Sequence, residues 1–289
     1  MSEYTSHVDG ELVPADEATV SVRDRGFMYG DAVFETLRVY DGVPFEWDAH
    51  VDRLRNSADL LGFGGAIPST TDLLERVEST LTANELRDAY VKVSVSRGVQ
   101  PGKLTPRQVV DPTVVVQVAP LPRGGVSGER VWDDPATVRT VETRRVPSEA
   151  IPAEAKTHNY LNGILARLEL RGTDADEGLL CSTDGYLTEG ATSNLFFVRD
   201  GVLYTPSTAL PILPGITRRV VLDCVAEAEI PVETGRYEPT TLQSAAELFL
   251  TNSTWEIRPV ESLDGRPLET GPVTRALQDA FDERVEAFY

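Results

Sequence analysis

Two prolines and two glycines fall within seven residues at Ala119-Pro120-Leu121-Pro122-Arg123-Gly124-Gly125. Proline removes a backbone donor and glycine loosens the chain, so neither a helix nor a central strand is expected through such a stretch. The break constrains the fold strongly because it divides 289 residues into two lengths that can each bury a core. The expected organisation is a small α+β domain over residues 1–118, a linker over 119–125 and a larger domain over 126–289.

Local patterns support that division. In the first segment Asp9-Gly10 and Asp41-Gly42 are hairpin dipeptides flanked by apolar or β-branched residues. Between them, Arg23 to Gly30 reads as a loop whose glycines let backbone approach a ligand, or as a hairpin with a bulge; Asp31 to Tyr40 alternates as a strand. Helices are expected from Asp48 to Leu61, capped by Asp48 and ended by Gly62, and from Thr70 to Leu81. Strands follow at Tyr90–Ser96 and Thr113–Val118. The second segment opens with a strand over Val131–Val141. Lys156 then stands at the start of an amphipathic helix reaching Arg171, with Leu161, Ile164, Leu165 and Leu168 on one face. A hairpin through Asp184-Gly185, strands at Ser193–Val198 and Val202–Tyr204, and a helix opened by Gly215-Ile216-Thr217 follow. Strands near Val232–Tyr237 and Leu248–Leu250 and a last helix over Val273–Ala287 complete a pair of mixed α+β domains meeting at a cleft.

The net charge of −19 excludes several classes of partner. Nucleic acids and anionic membranes need a basic surface, and no apolar run approaches the length of a membrane span. The acidic, arginine-over-lysine balance resembles that of proteins from salt-loving organisms, in which salt screens self-repulsion. Steering of cationic substrates is the alternative, but the acids are spread along the chain. Cys181 and Cys224 lack metal-ligand spacing, and without a signal peptide they read as reduced thiols of a cytoplasmic protein. His7, His50 and His158 form no metal motif, so no metal is expected.

Lysine is scarce: only Lys92, Lys103 and Lys156 occur. For an arbitrary lysine near a helix start the plain reading is a solvated side chain. Amid aromatic and amide neighbours, however, Lys156 can be partly desolvated, which makes a neutral amine available for a Schiff base. Three further features suit a phosphorylated, pyridine-like cofactor. Gly215-Ile216-Thr217 offers backbone N–H groups and a hydroxyl at a helix N-terminus. Thr251-Asn252-Ser253-Thr254 offers hydroxyls and amides at the end of a strand. Glu189, set among small residues, is a carboxylate able to keep a pyridine nitrogen protonated. Each signal is common alone; their order together with Lys156 is not.

That order resembles the class IV aminotransferases, the two-domain α+β pyridoxal 5′-phosphate enzymes of fold type IV. The group includes branched-chain aminotransferases, D-amino-acid aminotransferases and 4-amino-4-deoxychorismate lyases. The likeness runs from Phe27-Met28-Tyr29-Gly30-Asp31 to Glu256-Ile257-Arg258-Pro259-Val260. It implies that Lys156 is the Schiff-base lysine and proton shuttle and that Glu189 partners the pyridine nitrogen. It places Tyr160 near the phenolic oxygen and Leu213 under the ring. Arg53, Ile216, Thr217 and Ser253 are implied at the phosphate, and the family's homodimeric state is implied for the chain.

The subfamily pattern is mixed. Lys156-Thr157-His158-Asn159-Tyr160-Leu161-Asn162 and Thr251-Asn252-Ser253 look most like the lyases. Branched-chain enzymes usually carry arginine where Lys92 stands and glycine where Thr36 stands. Phe34-Glu35-Thr36 and Ser96-Arg97-Gly98 also occur in D-amino-acid aminotransferases, whose arginine there grips a substrate carboxylate. Substrate contacts are therefore expected from Tyr29, Lys92, Arg97 and Thr254, although Lys92 can equally be an inward strand lysine paired with an acid. The leading expectation is removal of pyruvate from aminodeoxychorismate to give 4-aminobenzoate. Transamination of a D-amino acid or a branched-chain L-amino acid with 2-oxoglutarate, a non-catalytic binding protein on the same fold, and a cofactor-free lysine aldolase, which leaves the phosphate-type loops unexplained, are the alternatives.

Overall fold

A computed structural model describes residues 4–123 and 131–289. The described chain forms two compact units. One holds the N-terminal part together with Ala155–Asn159 and Phe288–Tyr289; the other holds the residues leading to Glu154 and Tyr160–Ala287.

In the first unit, strands β1 (Thr5–Val8) and β2 (Glu11–Pro14) are followed by a short helix α1 (Arg25–Tyr29), then β3 (Ala32–Tyr40) and β4 (Val43–Pro44). Helices α2 (Trp47–Leu60) and α3 (Thr70–Ala83) and strands β5 (Ala89–Ser96) and β6 (Val114–Pro120) complete it. The sheet order is β2-β1-β6-β5-β3-β4, antiparallel throughout. Asp9-Gly10 and Asp41-Gly42 turn with positive φ at both residues, which matches the right-handed twist of the strands they join. One face of the sheet buries Val33, Leu37, Val91, Val93 and Val95 against Val51, Leu54, Leu73 and Val77 of the helices. Ser69 caps α3 by accepting the Asp72 N–H at 3.1 Å. Asp48 is in the first turn of α2 and not at its cap, where Glu46 lies at φ 54°. Gly62, with φ +76°, ends that helix as expected, since Phe63 N–H reaches back to Ala58 carbonyl.

In the second unit, β7 (Ala136–Arg144), α4 (Leu161–Glu169), β8 (Glu177–Cys181), β9 (Leu187–Gly190), β10 (Asn194–Arg199) and β11 (Val202–Pro206) come first. Then follow α5 (Ile216–Glu227), β12 (Val232–Gly235), β13 (Glu247–Asn252), β14 (Glu256–Leu263), β15 (Arg266–Pro267) and α6 (Pro272–Glu286). The sheet runs β12-β11-β10-β13-β14-β7-β8-β9, with β15 on β14. Parallel pairs β7–β8, β14–β7 and β11–β12 make it mixed; β8 and β10 are buried along nearly their whole length, whereas β7 alternates buried Ala136 and Val138 with exposed Arg139 and Glu142. Phe196 stacks on Phe249 at 4.9 Å within this core. The buried Glu247 carboxylate accepts the N–H of Val273 and Thr274, satisfying the first turn of α6.

Besides Asp48, several features differ from the sequence reading: helix α1 stands where a loop or bulged hairpin was expected, and β7 starts at Ala136 and not at Val131. Strand β6 continues through Ala119 and Pro120, which pair with Tyr90 and Ala89, so the first sheet uses part of the expected linker; Gly124-Gly125 lie outside the described residues. Residues 155–159 pack with the first unit, because their backbone lines β3: Phe34 N–H donates to Lys156 carbonyl at 3.0 Å and His158 N–H to Ala32 carbonyl at 2.9 Å. Finally, α4 starts at Leu161, so Lys156 precedes it in extended backbone. Its buried residue is Ala166, packed with Leu170, Val141 and Leu180, while Leu161, Ile164 and Leu165 are more than half exposed in the chain.

Candidate active site

In the first unit the site is set by the alternation of β3 and β5. Thr36 and Lys92 are direct cross-strand partners, as are Phe34 and Ser94, so Phe34, Thr36 and Lys92 share one face. That face is half-buried, whereas Val33, Glu35 and Leu37 point into the packed side. The Phe34 ring carries three nitrogen side chains. Lys156 Nζ lies 4.5 Å from its centroid, Lys92 Nζ 5.0 Å, and the His158 ring meets it edge-on at 5.5 Å. Burial and then the Lys156 charge push the Lys92 amine below the usual lysine range. Burial and then Lys92 push His158 down to about 4, so its imidazole is neutral near pH 7. Among the described residues no carboxylate pairs with Lys92, so the paired-lysine alternative does not hold. The Lys156 backbone is held by its carbonyl on β3 and by its N–H, which donates to Ser57 Oγ at 3.0 Å.

Behind that face lies a buried ionic cluster. Arg53 donates to Glu35 through Nε at 2.8 Å and Nη2 at 2.7 Å, and His50 Nδ1 meets the same carboxylate at 2.7 Å. Tyr29 ends α1 partly exposed, with the Arg25 guanidinium 5.0 Å over its ring. Arg97 is placed differently from its expected role. Its guanidinium is buried over Phe63, bidentate to Asp31 and donating to Leu61 carbonyl at 2.6 Å. Its donors are spent inside the unit, so it braces the loop after β5 and does not face a substrate.

In the second unit Glu189, on β9, is nearly enclosed. Its oxygens accept Leu213 N–H at 2.9 Å and Arg145 Nε at 2.7 Å. Asn194 Nδ2 donates to Leu213 carbonyl at 3.0 Å, so Leu213 is pinned from both sides of its peptide. The following Gly215 is the cap residue of α5 and makes no side-chain cap; a Cβ there would lie 1.9 Å from Asn194 Oδ1. Glycine thus leaves room at the start of the helix for the buried Asn194 side chain that pins Leu213. Ile216 and Thr217 form the buried first turn. In the 251–254 stretch, Asn252 Oδ1 accepts Thr254 N–H at 3.0 Å and Trp255 N–H at 2.7 Å, and it also takes the Thr254 hydroxyl at 3.0 Å. Ser253 stands half-buried on that turn, and the buried Thr251 hydroxyl has no partner among the described residues. Tyr160 immediately precedes α4.

These features fit a phosphorylated pyridine ring. Uncapped amides at the α5 N-terminus and an unpartnered hydroxyl suit a phosphate, and a fixed carboxylate suits a ring nitrogen. Among the described residues no cluster of side chains suits a metal ion, and no helix is long and apolar enough to cross a membrane. Phe34, Glu35, His50, Ser57, Arg145 and Asn194 were not singled out for the site by sequence. Glu35, within the Phe34-Glu35-Thr36 pattern, carried some signal; Arg145 carried none, because β8 lies between the strand that it follows and that of Glu189.

A family profile described as Amino-transferase class IV matches residues 32–263. A Methanocaldococcus jannaschii protein provisionally named a branched-chain-amino-acid aminotransferase is 38% identical, over 96% of this chain and 95% of its own. An aminodeoxychorismate lyase of Bacillus subtilis is 30% identical, over 97% and 94% respectively. Among solved structures, the branched-chain aminotransferase of Thermoproteus uzoniensis with norvaline superposes at TM-score 0.89, with 30% identity, covering 98% of this chain and 95% of that one. The 4-amino-4-deoxychorismate lyase of Pseudomonas aeruginosa superposes at 0.83, with 31% identity over 97% and 99%.

Proposed function

The chain belongs to the class IV aminotransferases, pyridoxal-phosphate enzymes of fold type IV, and on that premise we propose that it is a 4-amino-4-deoxychorismate lyase. The observation that carries this reading is Lys92. It is a partly desolvated cation with no carboxylate partner among the described residues, directly across from Thr36 and on the same aromatic ring as Lys156. A branched aliphatic side chain placed there would leave that charge uncompensated, which is costly in a half-buried site. A substrate with two carboxylates neutralises it. Thr36 and Lys92 are also the two positions at which the sequence departs from the branched-chain pattern, and they touch the same face.

In this reading Lys156 would hold the cofactor through Nζ, and its free amine would take the Cα proton of the substrate. When bound, pyridoxal phosphate supplies an electron sink for the charge left at Cα. Glu189, fixed by Leu213 N–H and Arg145, would keep the ring nitrogen protonated. Tyr160 and Leu213 would help hold the cofactor's ring. Arg53, the Ile216 and Thr217 amides and the Ser253 hydroxyl take the phosphate, while Tyr29, Lys92 and Thr254 orient the substrate. Incubation with aminodeoxychorismate is expected to release pyruvate and 4-aminobenzoate in equal amounts.

A second reading, transamination of a branched-chain or D-amino acid with 2-oxoglutarate, is supported by the names of relatives 32–38% identical. Turnover of L-leucine or D-alanine without any 4-aminobenzoate from aminodeoxychorismate would establish it instead. Under either reading we propose a homodimer, because the apolar stripe Leu161, Ile164, Leu165 and Leu168 of α4 is exposed in the single chain. Sedimentation at micromolar concentration tests this.

A further inference from the structure

Glu35 has no part in the chemistry above, yet its carboxylate is 2% exposed in the core of the first unit. A buried charge is kept at a desolvation cost, so its partners indicate its use. Both oxygens are engaged: Oε1 by Arg53 Nε at 2.8 Å, and Oε2 by Arg53 Nη2 and His50 Nδ1, each at 2.7 Å. Burial alone would raise the carboxyl's pKa, but the Arg53 charge and hydrogen bonds outweigh it and hold the group down to about 2. His50 is driven below its ordinary range by burial, so a neutral imidazole braces a single carboxylate–guanidinium pair. Contact along the Nε–Nη2 edge fixes the plane of a guanidinium, which a single-point contact does not. The same helix turn also anchors the lysine segment. Ser57 Oγ donates to Arg53 carbonyl at 2.8 Å and accepts Lys156 N–H at 3.0 Å.

We propose that Glu35, braced by His50, is a positioning residue for the cofactor phosphate: it fixes the orientation of the Arg53 guanidinium before the phosphate arrives. Preorganisation of this kind removes the ordering cost of a long side chain from the binding step. The inference rests on the reading of Arg53 as a phosphate ligand.

The test compares pyridoxal phosphate with pyridoxal, which forms the same Schiff base but lacks the phosphate. Apoprotein prepared from the holoenzyme is titrated with each, following the absorbance of the lysine-bound form. Glu35→Gln is expected to weaken pyridoxal phosphate by at least about tenfold, the scale of a charged hydrogen bond, and to leave pyridoxal unchanged. Arg53→Met is expected to do the same, and adding Glu35→Gln to it to cause no further loss. If Glu35→Gln does not fold, because it strands a buried guanidinium, Glu35→Asp carries the comparison: it keeps the charge but withdraws it by one methylene. Equal loss of both ligands in the Glu35 variants, or an additive loss in the double variant, overturns the inference and makes Glu35 structural. An Arg53→Met protein with unchanged pyridoxal phosphate affinity overturns the phosphate reading of Arg53 itself.

Discussion

Lys156 and Lys92 flank the Phe34 ring, and their proposed roles separate under substitution. Lys156→Ala removes the amine that holds the cofactor and moves the Cα proton. Loss of visible absorbance and a fall in turnover of at least about 10³-fold are expected, within the range for loss of a proton-transferring group. Lys92→Met leaves that chemistry intact but removes the cation proposed for the second carboxylate. Its KM for aminodeoxychorismate is expected to rise about tenfold or more with a smaller change in kcat, and steady-state kinetics read both. His158 supplies a pH effect. An imidazole in the unfolded chain takes a proton near pH 6.5, whereas in the fold it does so only near 4. Between those values the unfolded state binds more protons, so stability falls as pH drops from 6.5 towards 4 and levels off below. Urea titrations of wild type and His158→Gln across that window should show a shallower slope in the variant. His7 and His50, lowered by burial, and the carboxylates of Glu35 and Asp31, held down by arginines, contribute to the slope that remains.

The helices show how far a local pattern reaches. The expected spans of α3 and α6 lie within two residues of those observed, and the structure shows why: Ser69 caps the one and Pro272 opens the other, and such signals act within a few residues. Helix α4 was found by the same spacing, though it starts at Leu161 and not at Lys156. Periodicity identifies a stripe that must be covered and does not say by what. The small residues Gly163 and Ala166 meet the unit, with a Cβ at Gly163 only 3.2 Å from Ala191 carbonyl, and the leucine stripe is left outside. Ile164→Asp with Leu165→Asp should therefore shift the proposed dimer to monomer in sedimentation while leaving the circular dichroism of the second unit unchanged. At the other end of the chain, Glu247 is bonded to the first turn of α6 from β13. Glu247→Gln strands one of those N–H groups against an amide and should destabilise the protein by about 2 kcal/mol in denaturant unfolding.

At the scale of the molecule, 46 acidic residues against 27 basic ones give a surface that repels itself at low ionic strength. The screening length falls from about 10 Å at 0.1 M salt to about 3 Å at 1 M, so the melting temperature is expected to rise between 0.1 and 2 M KCl. An unchanged melting curve would remove the salt-adapted reading. The α+β class, the hairpin dipeptides and the resemblance to the class IV aminotransferases were legible in the sequence. Each depends on backbone preference or on residue types along a short span. The tertiary structure alone decided that residues 155–159 line β3, that Arg97 is spent on Asp31, that Lys92 meets Thr36 without a counter-ion, and that Glu35 holds Arg53. These are contacts between distant segments of a packed core. They are set by which faces the sheets bury and which charges that burial forces together, and no local pattern encodes them.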